Sequence, residues 1–413
     1  MKSYFFSEQS YYPCWEQVPG NPRITCPSAP VDVNVAHRLL HEYIQQCVLA
    51  DRLGLNIMVN EHHASYTCMS VSCFLTLGIL ATHTKNARLL ALGVPIINRD
   101  DPFRVAEEAA LVDVLSGGRL ELGLIKGTAY EAFISNSNHA YGMKRFWEAH
   151  DLILKALSHR DGSFSWEGDN FHYRHVNLIP PPFQQPHPPI WMTTLSGGNA
   201  KQVAQHGYVI SIPGSAPGAR RAFPIYREEY ERVHGRKAPL DRLAYLAHMA
   251  IARDEATAIE RGRKLLQFTR VSERLDVRFA NPPGTLSNED NARVLRAGKF
   301  ATHRPKALPD GTPLSNPPTV REQILTELLF CGTPDQVYAQ LERFYESCGG
   351  FGNLLVQMGG ENLHEEIVDS LTLFANEVQP RLENLTARTS GLGGHEPGPL
   401  PKRVQPTAGL ALG

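Results

Sequence analysis

The chain has 413 residues, with 41 Lys and Arg against 42 Asp and Glu, a formal net charge of −1, and 42% hydrophobic and 20% charged residues. A neutral balance without a basic stripe argues against a nucleic-acid binder, and the lack of a basic amphipathic helix argues against an anionic-membrane binder. Seven cysteines without a CxxC pair speak against a disulfide framework or structural zinc, while a polar N-terminus and the absence of any apolar run near ~20 residues point to a cytoplasmic protein.

Taken in order, Tyr4 to Phe6 opens a sheet, and a loop rich in Pro and Tyr leads to a helix over 34–53, stopped by Gly54. Strand Leu55 to Val59 follows, then helix 71–83, strand Arg88 to Ile97, helix 102–115, strand Leu120 to Ile125 and helix 144–157. Residues 164–189 form an excursion of short strands. The alternation resumes with strand Ile190 to Thr194, helix 198–206, strand Tyr208 to Ile212, helix 219–233, strand Leu243 to Ala252 and a helix from Glu255. A Pro- and Gly-rich stretch over 276–320 precedes helix 334–347, strand Asn353 to Gln357 and helix 361–377.

Eight strands with helical partners predict an α/β fold, a closed (β/α)8 TIM barrel with insertions after strands 4 and 7. An open Rossmann-like sheet is the alternative, but no GxGxxG follows a first strand. The expected domain is 1–380, with a mobile lid within 276–320. The tail 381–413 is expected to be disordered, since ten of the last 24 residues are Gly or Pro.

In a barrel of this kind the residues after each strand meet at one rim. Asn60-Glu61-His62-His63 follows strand two; its histidines read as metal ligands, an acid/base pair or loop residues, and adjacent side chains on extended backbone point opposite ways. No carboxylate or Cys trio at the other strand ends completes a metal site, so none is predicted. Gly93-Val94 closes strand three, where a residue without Cβ lets a flat ring approach. Lys126 follows strand four and suits either a phosphate or solvent. Ser196-Gly197-Gly198 opens the helix after strand five; the reading is an anion site on free backbone N–H groups, or a Ser N-cap with a Gly turn. Leu115-Ser116-Gly117-Gly118-Arg119 is assigned to structure, a helix end with left-handed Gly.

These pieces in this order resemble the bacterial luciferase-like, flavin-dependent monooxygenases. The likeness runs through Ala50-Asp51-Arg52-Leu53-Gly54, Glu61-His62-His63, Pro102 to Glu107, Leu111 to Arg119, Arg145-Phe146 with Glu148, Pro188-Pro189-Ile190-Trp191 and Gly332-Thr333-Pro334-Asp335. The resemblance implies a (β/α)8 barrel that takes reduced FMN from a separate flavin reductase. It reacts the flavin with O2 to a C4a-peroxyflavin and oxygenates a small, mostly apolar substrate: an aldehyde, ketone, alkane or natural-product intermediate. It implies His62 as the catalytic residue. Glu61, His63, Gly93, Val94, Lys126, Tyr130, Ser196, Gly197 and Gly198 are implied as cofactor-binding, with Lys126 standing where the family commonly has Arg. It also implies a homodimer. The aromatics Phe5, Phe6, Tyr11, Tyr12 and Trp15 are expected to wall an apolar pocket. Alternatives are an F420-dependent oxidoreductase and a flavin-binding protein without turnover.

Overall fold

Apolar runs bounded by turns become strands in the computed structural model, and the segments of helical period between them become helices. The structure describes residues 1–16, 23–128, 130–137, 142–194, 197–272 and 307–390, with 274, 279, 288, 289, 292 and 305 in addition. The strands are β1 Lys2–Ser7, β2 Asn56–Val59, β3 Leu89–Pro95, β4 Leu120–Ile125, β5 Phe164–Glu167, β6 His172–Val176, β7 Ile190–Thr193, β8 Val209–Pro213, β9 Leu243–Ile251, β10 Leu329–Gly332 and β11 Asn353–Gln357. The helices are α1 Val33–Arg52, α2 Cys73–His83, α3 Pro102–Leu115, α4 Glu131–Ile134, α5 Gly142–Ser158, α6 Gly197–Gln205, α7 Ala216–His234, α8 Glu255–Ser272, α9 Val320–Leu325, α10 Pro334–Ser347, α11 His364–Leu373 and, after a π turn at Phe374–Val378, α12 Gln379–Ser390.

Among the described residues, eight parallel strands close into a barrel in the order β1, β2, β3, β4, β7, β8, β9, β11, with β11 returning to β1 through Phe6↔Gln357. The predicted barrel is therefore observed, including both insertions: the antiparallel ribbon β5–β6 after the fourth barrel strand, and the segment from Ala252 to Gly352 after the seventh. Period two sorts each strand. Tyr4, Phe6, Met58, Leu90, Leu92, Trp191 and Leu355 fill the lumen, while Phe5, Ile57, Val59, Leu89 and Ala91 pack outward against the helices. The N-terminal end of the lumen is closed by charge: Arg88 Nε donates to Glu121 Oε1 at 2.8 Å, and the Tyr4 hydroxyl donates to Glu121 Oε2 at 3.0 Å.

Helix starts follow capping chemistry. Asp32, Ser72 and Asp101 accept first-turn N–H groups of α1, α2 and α3, and Thr319 with Glu322 and Thr333 with Gln336 form capping boxes on α9 and α10. Gly117 and Gly118 take φ of 63° and 80° after α3, so the segment assigned to structure is a left-handed helix exit.

Besides α4, three further elements were not expected from the sequence. Strand β10 pairs with the second half of β9, from Leu329↔His248 to Gly332↔Ile251, beyond the stretch of β9 that β8 occupies. Its outer edge is met by one side chain: Cys331 N donates to Gln340 Oε1 at 2.9 Å and Gln340 Nε2 donates to Cys331 O at 2.8 Å. Helix α9 begins at Val320, where the stretch expected to be a lid ends; most of 276–306 lies outside the described residues. Helix α12 continues to Ser390, ten residues past the expected boundary at 380, because Leu382 and Leu385 bury and Gln379 ties it to the first strand through Ser3 Oγ at 2.5 Å and Met1 O at 3.0 Å. The remainder of the tail, from 391, lies outside the described residues.

The aromatics near the N-terminus are divided between separate clusters. Phe6 is in the lumen and Phe5 in the outer layer. Tyr11 and Trp15 pack in a separate cluster with Tyr43, Tyr66 and Phe268, where the Trp15 indole donates to Tyr66 O at 3.2 Å. Buried indole and phenol groups need partners: the loop after β2 supplies that of Trp15, while the Tyr43 hydroxyl donates to Ser10 O at 2.6 Å and the Tyr11 hydroxyl accepts Asp32 N at 2.8 Å.

Candidate active site

Parallel strands deliver their C-terminal ends to one rim, and the loops after β1, β2 and β4 meet there around an imidazole. His62 Nδ1 lies 2.9 Å from Glu131 Oε1 and 3.3 Å from the Tyr130 hydroxyl, while Nε2 lies 3.9 Å from Glu8 Oε1. The His62 side chain is 18% exposed; Glu131 and Glu8 are buried. Burial disfavours a charged ring, yet the Glu131 and Glu8 carboxylates together outweigh it and hold the His62 pKa above its ordinary value. Glu131 shows the reciprocal effect. Burial should raise its pKa, but His62, together with the Thr128 hydroxyl and N–H, lowers it to about 2. Glu8 behaves oppositely: burial lifts its pKa, and His62 and the Asn60 amide only partly offset this.

His63 points away from His62, as extended backbone requires. Its Nε2 lies 3.2 Å from Glu61 Oε1, which also accepts from Arg99 Nη2 at 2.6 Å, while Glu61 Oε2 accepts Cys73 N at the first turn of α2 at 3.3 Å. The Glu61 carboxylate is thus occupied in fixing the loop after β2 to α2 and to Arg99. Tyr130 is buried against the His62–Glu131 pair, with the Arg23 guanidinium 5.1 Å from its ring centroid.

Strand β3 carries an irregularity between Leu92 and Val94, and the Leu92–Gly93 peptide is cis. A Cβ on Gly93 would come within 2.5 Å of Ile125 Cγ2, so only glycine fits. The Val94 side chain faces the helices, leaving its backbone toward the rim.

Lys126 is half-buried after β4. It shares a pocket with Met143, Trp147, Thr194, Asn199 and Gln202, and it has no carboxylate partner among the described residues. Burial alone pulls its pKa below the ordinary lysine value. Gly197 and Gly198 form the first turn of α6, which borders this pocket through Asn199 and Gln202. A Cβ on Gly197 would meet Ile225 Cδ1 of α7 at 2.9 Å, whereas one on Gly198 would stand in open space. Ser196 lies outside the described residues. A half-buried ammonium beside a helix N-terminus is a donor set suited to a phosphate, so these residues fit the phosphate end of a flavin mononucleotide.

The segment after β4 joins the two halves, since it carries both Glu131, which reaches His62, and Lys126, which lines a pocket with Thr194. Sequence reasoning missed Glu8 and Glu131. Glu8 carried a signal: stepping by two from the lumen residue Phe6 lands on it. Glu131 sits on a four-residue helix with no period to read. Among the described residues, no group of three or more His, Cys, Asp or Glu is placed to hold a metal, and no helix is long and apolar enough to cross a membrane.

A family model described as luciferase-like monooxygenase matches residues 25–350. The oxygenase component of flavin-dependent trigonelline monooxygenase from Acinetobacter baylyi is 29% identical over 185 residues, 44% of this chain and 50% of that protein. Limonene 1,2-monooxygenase from Rhodococcus erythropolis is 25% identical over 360 residues, 85% of this chain and 83% of that protein. The chain spans about half the length of several of its curated relatives. Among solved structures, the oxygenating constituent of 3,6-diketocamphane monooxygenase from Pseudomonas putida, in complex with FMN, superposes with a TM-score of 0.67 at 16% identity, covering 92% of this chain and 98% of that one. An F420-dependent secondary alcohol dehydrogenase superposes with a TM-score of 0.62 at 16% identity, covering 92% and 99%. The barrel itself is thus shared across different cofactors.

Proposed function

The chain belongs to the luciferase-like monooxygenase family, and from that premise we propose that it is the oxygenase of a two-component system, using reduced FMN from a separate flavin reductase, and O2, to oxygenate a small, mostly apolar organic molecule. The observation that carries this reading is the meeting, on one barrel rim, of a carboxylate-held imidazole and a half-buried lysine beside a glycine-rich helix start. Relatives named as flavin-dependent and as limonene monooxygenases support it.

The chain's own groups divide the work. Lys126 and the first turn of α6 hold the phosphate, Gly93 permits close approach of a flat ring to β3, and His62 carries a proton at the rim. Reduced flavin, when bound, supplies the reaction with O2 that places one oxygen atom in the substrate and releases the other as water. The test is to supply reduced FMN and 18O2 with a panel of ketones, aldehydes and terpenes and to follow label into product; no label in any product, with no FMN binding, rejects the reading. Anaerobic reduction of a ketone by reduced F420 would instead establish the deazaflavin alternative.

Lys126→Ala is expected to weaken FMN about tenfold, ~1.4 kcal/mol, and to leave riboflavin affinity unchanged, since only the phosphate meets the ammonium. Fluorescence titration with both flavins checks this.

We also propose a cytoplasmic homodimer. Its support is an apolar face on two neighbouring helices, with Val71 just ahead of α2, Leu75 and Ile79 on it, and Leu111 and Leu115 on α3, of which Leu75 is 66% exposed. Apolar patches of this kind on soluble proteins mark association surfaces. Leu75→Glu is expected to convert the dimer to a monomer in sedimentation velocity without loss of FMN binding.

A further inference from the structure

His62 stands between two buried carboxylates that differ in what else they hold. Glu131 is saturated: its Oε1 faces His62 Nδ1 at 2.9 Å and the His63 N–H at 3.4 Å, and its Oε2 accepts the Thr128 N–H at 3.2 Å and hydroxyl at 2.7 Å. A carboxylate with that many donors is fixed as an anion and is a poor proton acceptor. Glu8 follows β1, two residues beyond the lumen residue Phe6, and its side chain is 6% exposed. Asn60 orients it: the Asn60 carbonyl accepts the Cys68 thiol at 3.6 Å, which leaves its amide nitrogen to donate to Glu8.

We propose that Glu8 is the proton reservoir of this site, exchanging a proton with His62 Nε2 while Glu131 holds the opposite ring nitrogen. This rests on the reading of His62 as the reactive group at the rim. The separation of 3.9 Å is about 1 Å beyond hydrogen-bond length, so a small rotation of either side chain closes it. In the transfer the Nε2–H bond breaks and an O–H bond forms on Glu8. The N–H electron pair remains on the ring as a lone pair, the imidazolium becomes a neutral imidazole, and the carboxylate becomes a carboxylic acid. The pair has zero net charge before and after, and no further reactant is needed. Because Nδ1 is already held by Glu131, Nε2 is the ring nitrogen that a reacting oxygen at the rim would share with Glu8.

The surroundings favour an easy exchange. Glu8 faces the His62 ring, the Asn60 amide and the charges of Arg23 and Glu131, and buried Cys68 lies close by. Burial weakens Glu8 as an anion, while Glu131 and Glu8 both strengthen the His62 cation. Burial thus lifts the proton affinity of Glu8 toward the imidazole range, while the raised affinity of His62 keeps the proton on the ring at rest.

The experiment is a histidine 15N NMR titration of the flavin-free chain, run beside the pH profile of oxygenation. The wild-type His62 resonances are expected to report two linked titrations. In E8Q one step disappears and the His62 titration moves to lower pH, with kcat falling tenfold to a hundredfold and KM within about twofold. E8D, which keeps the acid on a shorter arm, is expected to restore the second step and part of kcat; should E8Q not fold, E8D must still give an altered second step. Unchanged His62 titration and an unchanged pH profile in E8Q overturn the proposal. Linked titration in a chain that oxygenates nothing retains the proton exchange and overturns the oxygenase reading instead, so the two failures are distinct.

Discussion

Replacement of His62 by alanine is expected to lower oxygenation by about 10²–10⁴-fold, the range for loss of a positioned acid/base group, with FMN affinity little changed because Lys126 and α6 lie on the other side of the β4 loop. The same variant should report on stability. Removing one member of a buried ion pair leaves Glu131 uncompensated, which costs about 3 kcal/mol. The pH dependence has a definite sign. Glu131, lowered from 4.5 to about 2, contributes stability that is present above 4.5 and lost as pH falls toward 2. His62, raised above 6.5, contributes stability that is complete below 6.5 and lost as pH rises through its folded value. The difference between wild type and His62→Ala should therefore be largest between about pH 4.5 and 6.5 and shrink on both sides, as read from urea unfolding at a series of pH values. A difference that does not vary with pH would show that the pair is not ionised in the folded chain.

Arg119→Met is expected to be the more destabilising change, and to spare the site. Arg119 is 5% exposed on the N-terminal side of β4. Its Nε donates to Ser116 O, its Nη1 to the Thr84 hydroxyl and Ala87 O, and its Nη2 to Ala81 O and Thr84 O, all between 2.8 and 3.1 Å. One guanidinium thus closes the end of α2 and the turns into β3 and β4. Methionine keeps much of the volume but strands several buried carbonyls, so a loss of about 3–5 kcal/mol and a melting temperature lower by roughly 5 °C are expected. Activity per folded molecule should be retained, because the group lies at the end of the barrel opposite the rim. Calorimetry beside FMN titration separates the two effects.

The barrel was legible because parallel strands buried on both faces read as unbroken apolar runs. LLALGVP of β3 and LAYLAHMAI of β9 are of this kind, and the helices between them keep a clear 3.6 period. Strand β10 was not, since LFCG is a four-residue run that only its pairing with the far half of β9 turns into a strand. Helix α12 is anchored by Leu382 and Leu385 and takes its place from Gln379. His62 and Lys126 follow strand ends, but the groups that set the His62 charge came from elsewhere. Glu8 could have been found by counting twos along β1. Glu131 could not, because the loop after β4 has no repeat and its carboxylate is placed by Thr128 and the imidazole themselves.

The Arg88–Glu121–Tyr4 plug bears on what a substitution there would report. Among the described residues, a charged pair and a phenol stopper the far end of the cylinder and side chains fill the lumen above them, so a ligand is left the strand ends that carry His62 and Lys126. Loosening the stopper should therefore cost the cylinder its firmness and leave what docks at the opposite mouth unmoved.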